Sequence, residues 1–214
     1  MKIGILGSGD VGQAIGAGLV TLGHTVRLGS RAVPNDKALA WAREMGPRAS
    51  VGTFADAASF GELVVLATLG VATDSALAIA GPEHLRGKVV IDATNPLNAL
   101  PGAAPTLAIT GEDSGGERVQ RLLPDARVVK AFNTVGFQLM YRPNLPGGPP
   151  DMFIAGNDAA AKAVVAEILK GFGWGAVDTG GIASSRYLEA MCLAWILSGT
   201  QSGNWNQAFK MLRK

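Results

Sequence analysis

Cysteine occurs once in this chain, at Cys192, so no disulfide can form within it. Histidine occurs only twice, and no Cys or His spacing matches a metal-ligand pattern, so no metal is expected. Charge is nearly balanced: a formal +2 over 214 residues provides no field suited to nucleic acid or an anionic membrane. Long apolar runs are missing too. The most apolar stretch, residues 187–197, is too short to span a bilayer and contains Glu189, so it reads as a buried helix. The first residues already read as a strand, leaving no room for a signal peptide, and a cytoplasmic location is expected. The length allows a large core, in one domain or one plus a small appendage.

Glycine is plentiful, and its placement is specific. Residues 3–6 form a short apolar run that reads as a buried parallel strand, and residues 11–22 show helical periodicity closed by Gly23. Gly7-Ser8-Gly9-Asp10-Val11-Gly12 lies at that junction. Gly7 permits the tight turn, Gly9 lets the backbone approach a pyrophosphate, and Gly12 lets the helix pack close to the strand. The free N–H groups and partial positive charge at the helix N-terminus attract the anion. A dinucleotide is therefore expected here.

The second strand, residues 24–28, decides which dinucleotide. An NAD site normally ends this strand in Asp or Glu, which accepts hydrogen bonds from the ribose 2′-OH. This strand instead runs into Gly29, Ser30 and Arg31 with no acid. A guanidinium pairs with a 2′-phosphate and the Ser30 hydroxyl adds a donor, so NADP(H) is favoured. Lys37 is either a second phosphate contact or a solvated helix-end lysine. His24, at the start of its strand, reads as a surface residue rather than a proton donor.

Further on, the pattern alternates strand and helix. Helices are expected at 36–45, 73–80 and 116–123, and strands at 50–53, 63–67, 89–92 and 127–132, with a polar connection through Asp56. The continuous apolar runs suit central strands covered on both faces, and the alternation specifies a Rossmann-type, doubly wound parallel sheet of the α/β class. The Pro- and Gly-rich residues 143–150 form the natural boundary. Beyond it, strands at 152–155 and 176–179 and helices at 159–170, 185–197 and 206–212 make a small C-terminal α/β extension. The expected domains are thus 1–142 and 151–214.

Ligands of open parallel sheets sit outside the C-terminal strand ends. These ends supply Thr68, Leu69 and Gly70, then Asp92 to Leu97, then Asn133, Thr134 and Phe137: small, amide and hydroxyl groups suited to a nicotinamide ribose and carboxamide. No acid–base pair stands among them. Lys130 and Asp92 lie within strands and read as structural, with Asp92 capping a turn. Carbonyl or imine reduction usually needs a positioned proton donor, whereas hydride transfer between two cofactors needs mainly stacked rings in a dry slot. Leu69, Val71, Leu97, Phe137 and Ile182 could line such a slot, or simply pack the core.

The N-terminal segment Met1 to Gly12, Leu22-Gly23-His24, Gly29-Ser30-Arg31, Asp92 to Leu97, Lys130 to Thr134 and Arg186-Tyr187-Leu188-Glu189 together resemble the NADPH-dependent coenzyme F420 reductases. The resemblance covers nearly the whole chain. It implies a Rossmann domain with a small C-terminal domain, two cofactors meeting in the cleft between them, and a homodimer built partly on C-terminal helices. It also implies that Ser8, Gly9, Asp10 and Val11 hold the pyrophosphate and that Ser30 and Arg31 grip the 2′-phosphate. Thr68, Leu69, Gly70, Asn95 and Pro96 would line the nicotinamide end, and Asn133, Thr134, Phe137 and Ile182 the second-substrate pocket. Archaeal members tend to place His where Asn133 stands, which leaves the acceptor open between coenzyme F420 and FMN or FAD. A reductase of a small imine or keto acid would need a proton donor, for which only Asn133, Thr134 or Tyr187 is available. A non-catalytic NADPH sensor would need an exposed partner surface.

Overall fold

The apolar run Lys2–Leu6 forms β1, the glycine turn follows, and α1 runs over Asp10–Thr21 in this computed structural model, which describes residues 1–98 and 103–214. Then come β2 (Thr25–Ser30), α2 (Asp36–Met45), β3 (Ala49–Thr53), α3 (Phe54–Phe60), β4 (Leu63–Leu66), α4 (Thr73–Ala80) and β5 (Val89–Asp92). A two-stranded hairpin of β6 (Leu97–Asn98) and β7 (Thr106–Leu107) precedes α5 (Gly115–Leu122) and β8 (Arg127–Lys130). The chain ends with β9 (Asp151–Gly156), α6 (Ala159–Gly171), β10 (Gly175–Asp178) and α7 (Ser185–Ser202).

Eight of these strands make one sheet in the order β10-β9-β8-β5-β4-β1-β2-β3. From β8 to β3 every pair is parallel, as the alternating strands and helices require. β9 joins β8 antiparallel, with Lys130 opposite Ala155, and β10 lies parallel to β9. The sheet therefore continues past the Pro-Gly segment rather than stopping at it.

Side-chain alternation along the strands splits the interior into two cores. Ile3, Ile5, Leu63, Val65, Ile91 and Val129 face α1 and α6, where Ile15, Leu19, Leu169 and Phe172 meet them. Leu6, Val64, Leu66, Val90 and Val128 face the opposite way, toward Ala57, Leu77 and Val119 of α3, α4 and α5. Both faces are covered, so the central strands are apolar along most of their length, the buried Asp92 and Lys130 at the ends of β5 and β8 being the exceptions. Gly4 is forced by this packing, since a Cβ there would lie 2.0 Å from the Ala57 carbonyl oxygen of α3.

Three sequence expectations are corrected. The polar connection through Asp56 is α3, started by a reciprocal cap in which Thr53 Oγ1 accepts from the Asp56 amide and Asp56 Oδ2 accepts from the Thr53 amide. The strand expected over 127–132 stops at Lys130, because Phe132 turns the chain with a φ of +64°. The helix expected over 206–212 does not form. Gly203, at a φ of +68°, ends α7, and the chain beyond it spends its hydrogen bonds on other elements. The Trp195 indole donates to the Gln207 carbonyl at 2.8 Å, the Asp151 amide to the Phe209 carbonyl at 2.9 Å, and the Met211 amide to Asp151 Oδ2 at 2.9 Å. A segment this short has little helical tendency of its own, since isolated helices under about 12–15 residues are marginal. No described helix is long and apolar enough to cross a membrane.

Candidate active site

The turn between β1 and α1 accepts only glycine at two of its positions. Gly7 has a φ of +136°, and a Cβ on it would meet the Ala67 carbonyl oxygen at 2.2 Å. A Cβ on Gly12 would lie 2.0 Å from the Gly7 carbonyl oxygen. Gly9 is different: it is exposed, with nothing within 4 Å of its missing Cβ, so the space over the turn is open. No side chain caps α1, which leaves its first amide N–H groups directed at that space. Gln13 Nε2 donates to the Ser8 carbonyl at 2.9 Å and braces the loop from beneath. Such a cradle fits a pyrophosphate.

Beside it, the end of β2 presents Ser30, which is buried, and Arg31, which is exposed. Asn35 joins the two loops, a residue that the sequence reading missed. Its Nδ2 donates to Ser30 Oγ at 2.9 Å and to Ser8 Oγ at 3.3 Å, while its Oδ1 caps α2 by accepting from the Ala38 amide at 3.0 Å. The available signal was an Asn directly before a helical run, the usual N-cap position. Lys37 reaches over to Asp10, Nζ to Oδ1 at 2.6 Å, with both side chains more than half exposed. Arg31 has no ion-pair partner among the described residues. Two oriented hydroxyls and a free guanidinium form a site with the chemistry of a phosphate receptor.

The next strand ends are built around a pair of amides. Asn95 Nδ2 donates to the Asn133 carbonyl at 2.8 Å, and Asn133 Nδ2 donates to Asn95 Oδ1 at 2.9 Å and to the Leu188 carbonyl of α7 at 3.0 Å. Asn133 is buried, and its Oδ1 is left without a partner, as is the buried Thr68 Oγ1. Gly70 presses on this pair so closely that a Cβ would meet the Asn95 carbonyl oxygen at 2.0 Å. Pro96 is buried beneath. Leu69, Val71 and Phe137 are exposed large apolar residues, Leu69 to 76%. The strained Phe132 backbone redirects the chain from β8 into this rim, a cost of the kind that accumulates at functional sites.

Two residues expected in the second pocket are placed otherwise. Ile182 packs into the core with Val119 and Leu123 and is 7% exposed, because the turn at 182–184 lies along α5. Thr134 is buried and directs its hydroxyl at Met152 Sδ, 3.7 Å away. A cavity of about 160 Å³ opens beside the rim between Gly70, Thr73, Thr94, Pro96 and Arg118. A larger one, about 330 Å³, lies where β5 and β8 begin, at the N-terminal ends of the central strands, away from the glycine turn.

Behind the amide pair lies a charged cluster with no solvent contact. Lys130 Nζ sits 2.8 Å from Asp92 Oδ2 and 2.7 Å from Glu189 Oε1. Glu189 also accepts from the Gly115 and Gly116 amides at the N-terminus of α5, each at 3.0 Å. Asp92 Oδ1 accepts from the amide and the hydroxyl of Thr94 at 2.9 and 2.7 Å, the turn cap expected of it. Burial pulls the Lys130 ammonium down, but Asp92 and Glu189 outweigh it and hold the group above its ordinary value. Lys130 and Asp92 were legible as lying within strands, whereas Glu189 as their partner was not, because only the fold brings α7 to β8.

The family described as NADP oxidoreductase coenzyme F420-dependent matches residues 2–96. The F420-dependent NADP reductase of Methanothermobacter marburgensis is 31% identical over 201 residues, covering 88% of each chain. A solved structure from Arthrobacter sp. FB24, assigned as an F420-dependent NADP-reductase, is 41% identical with a TM-score of 0.92 and covers all of both chains. Metalloreductase STEAP3 of Rattus norvegicus is 32% identical over 90% of this chain, which spans only 36% of that longer protein.

Proposed function

Since this chain belongs to the coenzyme F420-dependent NADP oxidoreductases, we propose that it moves a hydride between NADP(H) and the 5-deazaflavin ring of coenzyme F420. The observation that carries this reading is the free Arg31 guanidinium beside the Ser8 and Ser30 hydroxyls held by Asn35, next to the uncapped N-terminus of α1. When bound, the dihydronicotinamide supplies the hydride from its C4, and the acceptor ring takes that hydride together with a solvent proton.

The chain's own part is binding, orientation and exclusion of water. The α1 amides and the turn at Gly7, Ser8, Gly9, Asp10, Val11 and Gly12 hold the pyrophosphate, and Ser30 and Arg31 hold the 2′-phosphate. Lys37 neutralises Asp10 near those phosphates. Asn95, Pro96 and Gly70 set the nicotinamide end, where the unpartnered oxygens of Asn133 and Thr68 await a donor. Leu69, Val71 and Phe137 cover the stacked rings. No side-chain acid is required, which agrees with amides and hydroxyls at the strand ends. Residues 151–214, two of whose strands extend the same sheet, close the cleft and contribute to a homodimer in the cytoplasm.

The test is to mix the protein with NADPH and then with coenzyme F420, FMN, FAD, or small imines and keto acids, following nicotinamide absorbance. Fast oxidation with F420 supports the reading. Oxidation by imines or keto acids alone overturns it, and oxidation by FMN or FAD alone moves the acceptor to a flavin.

A further inference from the structure

The buried cluster carries a net charge that the binding of a dinucleotide does not require. Each carboxyl accepts three hydrogen bonds, Asp92 from the Thr94 amide and hydroxyl and from Lys130, and Glu189 from the Gly115 and Gly116 amides and from Lys130. One ammonium faces two acidic side chains, a formal charge of −1 buried away from solvent. The cluster is joined to the rim on both sides. Thr94, bonded to Asp92, is followed directly by Asn95, and Leu188, beside Glu189, accepts from Asn133.

We propose that the Asp92–Lys130–Glu189 cluster sets the redox preference of the site, favouring the oxidised, positively charged nicotinamide over the neutral reduced one at the Asn95–Asn133 rim. The proposal rests on NADP(H) as the bound dinucleotide. The two forms differ at the ring: loss of the C4 hydride with its electron pair leaves a unit positive charge there. A purely structural cluster would bind both forms alike, since the adenosine, phosphates and riboses are common to both. An excess negative charge behind the ring discriminates between them, and so biases the site toward giving hydride away. Asp92, Lys130 and Glu189 are positioning residues in this role, acting on the ring through the field and through Asn95 and Asn133.

The experiment measures dissociation constants for NADP+ and NADPH with wild-type protein, Glu189→Gln and Asp92→Asn. Each substitution removes one negative charge and keeps the side-chain shape. Both variants are expected to lose affinity for NADP+ relative to NADPH by about three- to tenfold. Folded variants whose ratio matches wild type overturn the proposal, as does a shift in opposite directions for the two substitutions. If either variant fails to fold, the wild-type ratio decides: NADP+ bound at least as tightly as NADPH supports the cluster's role, and NADPH bound more tightly overturns it. Wild-type protein that binds neither form instead removes the dinucleotide reading itself, an outcome distinct from an unmoved ratio.

Discussion

Asn35 donates to Ser30 across 2.9 Å, tying the N-cap of α2 to the last residue of β2. One side chain thus stabilises a helix and orients a hydroxyl. Replacing Asn35 with Ala removes both functions, at a cost of about 1 kcal/mol in stability from the lost cap. NADPH affinity should fall several-fold as well. Asn35→Asp separates the two effects: it keeps the cap and cannot donate to Ser30 or Ser8, so its melting temperature should stay near wild type while NADPH titrations weaken.

Arg31→Glu should reduce NADPH affinity by roughly ten- to a hundredfold, since an attraction to the 2′-phosphate becomes a repulsion. NADH, which lacks that phosphate, should change little. Equal losses measured for both nucleotides would remove Arg31 from the phosphate site.

Glu117 and Arg186 join α5 to α7 through two parallel hydrogen bonds at 2.7 and 2.8 Å. These bonds, opposed by burial, hold the Glu117 carboxyl below its ordinary 4.5. A depressed carboxyl contributes stability that is fully present above its unfolded value and is lost as pH falls through its folded value. Glu117→Gln should therefore be less stable than wild type at neutral pH by about 1 kcal/mol. The gap should close on acidification below pH 4.5, which thermal unfolding across a pH series would read.

Burial pushes the Cys192 thiol up to about 12, with Lys130 drawing it down only in part. The side chain is 5% exposed on the inner face of α7. An aromatic disulfide reagent at about pH 8 should therefore label the native protein orders of magnitude more slowly than the unfolded chain. Rapid native labelling would mean that α7 leaves the sheet readily.

The sheet was legible because its strands are buried on both faces and so read as apolar runs, as with residues 63–66 and 89–91. The glycine turn was legible because backbone geometry dictates the residue type at Gly7 and Gly12. What escaped was whatever depends on contacts distant in sequence. Glu189 looks like a polar interruption of an apolar helix until α7 meets Lys130 and the α5 N-terminus. Asn35 is a routine cap until β1 and β2 bring Ser8 and Ser30 beside it. Residues 206–212 have enough helical pattern to mislead, and only their bonds to β9 and α7 reveal a non-helical strap. Thr53 and Asp56 carried a local signal that was overlooked, the spacing of a reciprocal cap.

Glu189 has one further consequence, for anyone who would cut the chain. A fragment that stops at the Pro-Gly segment deprives Lys130 of Glu189 and of the β9 strand beside it, and uncovers two amides of α5 at the same stroke. Removing one member of such a cluster costs about 3–5 kcal/mol, a large share of what holds a domain together. The nucleotide-binding half and the tail that follows it should be expressed together, and a split pair of fragments should find each other in solution before either becomes well ordered.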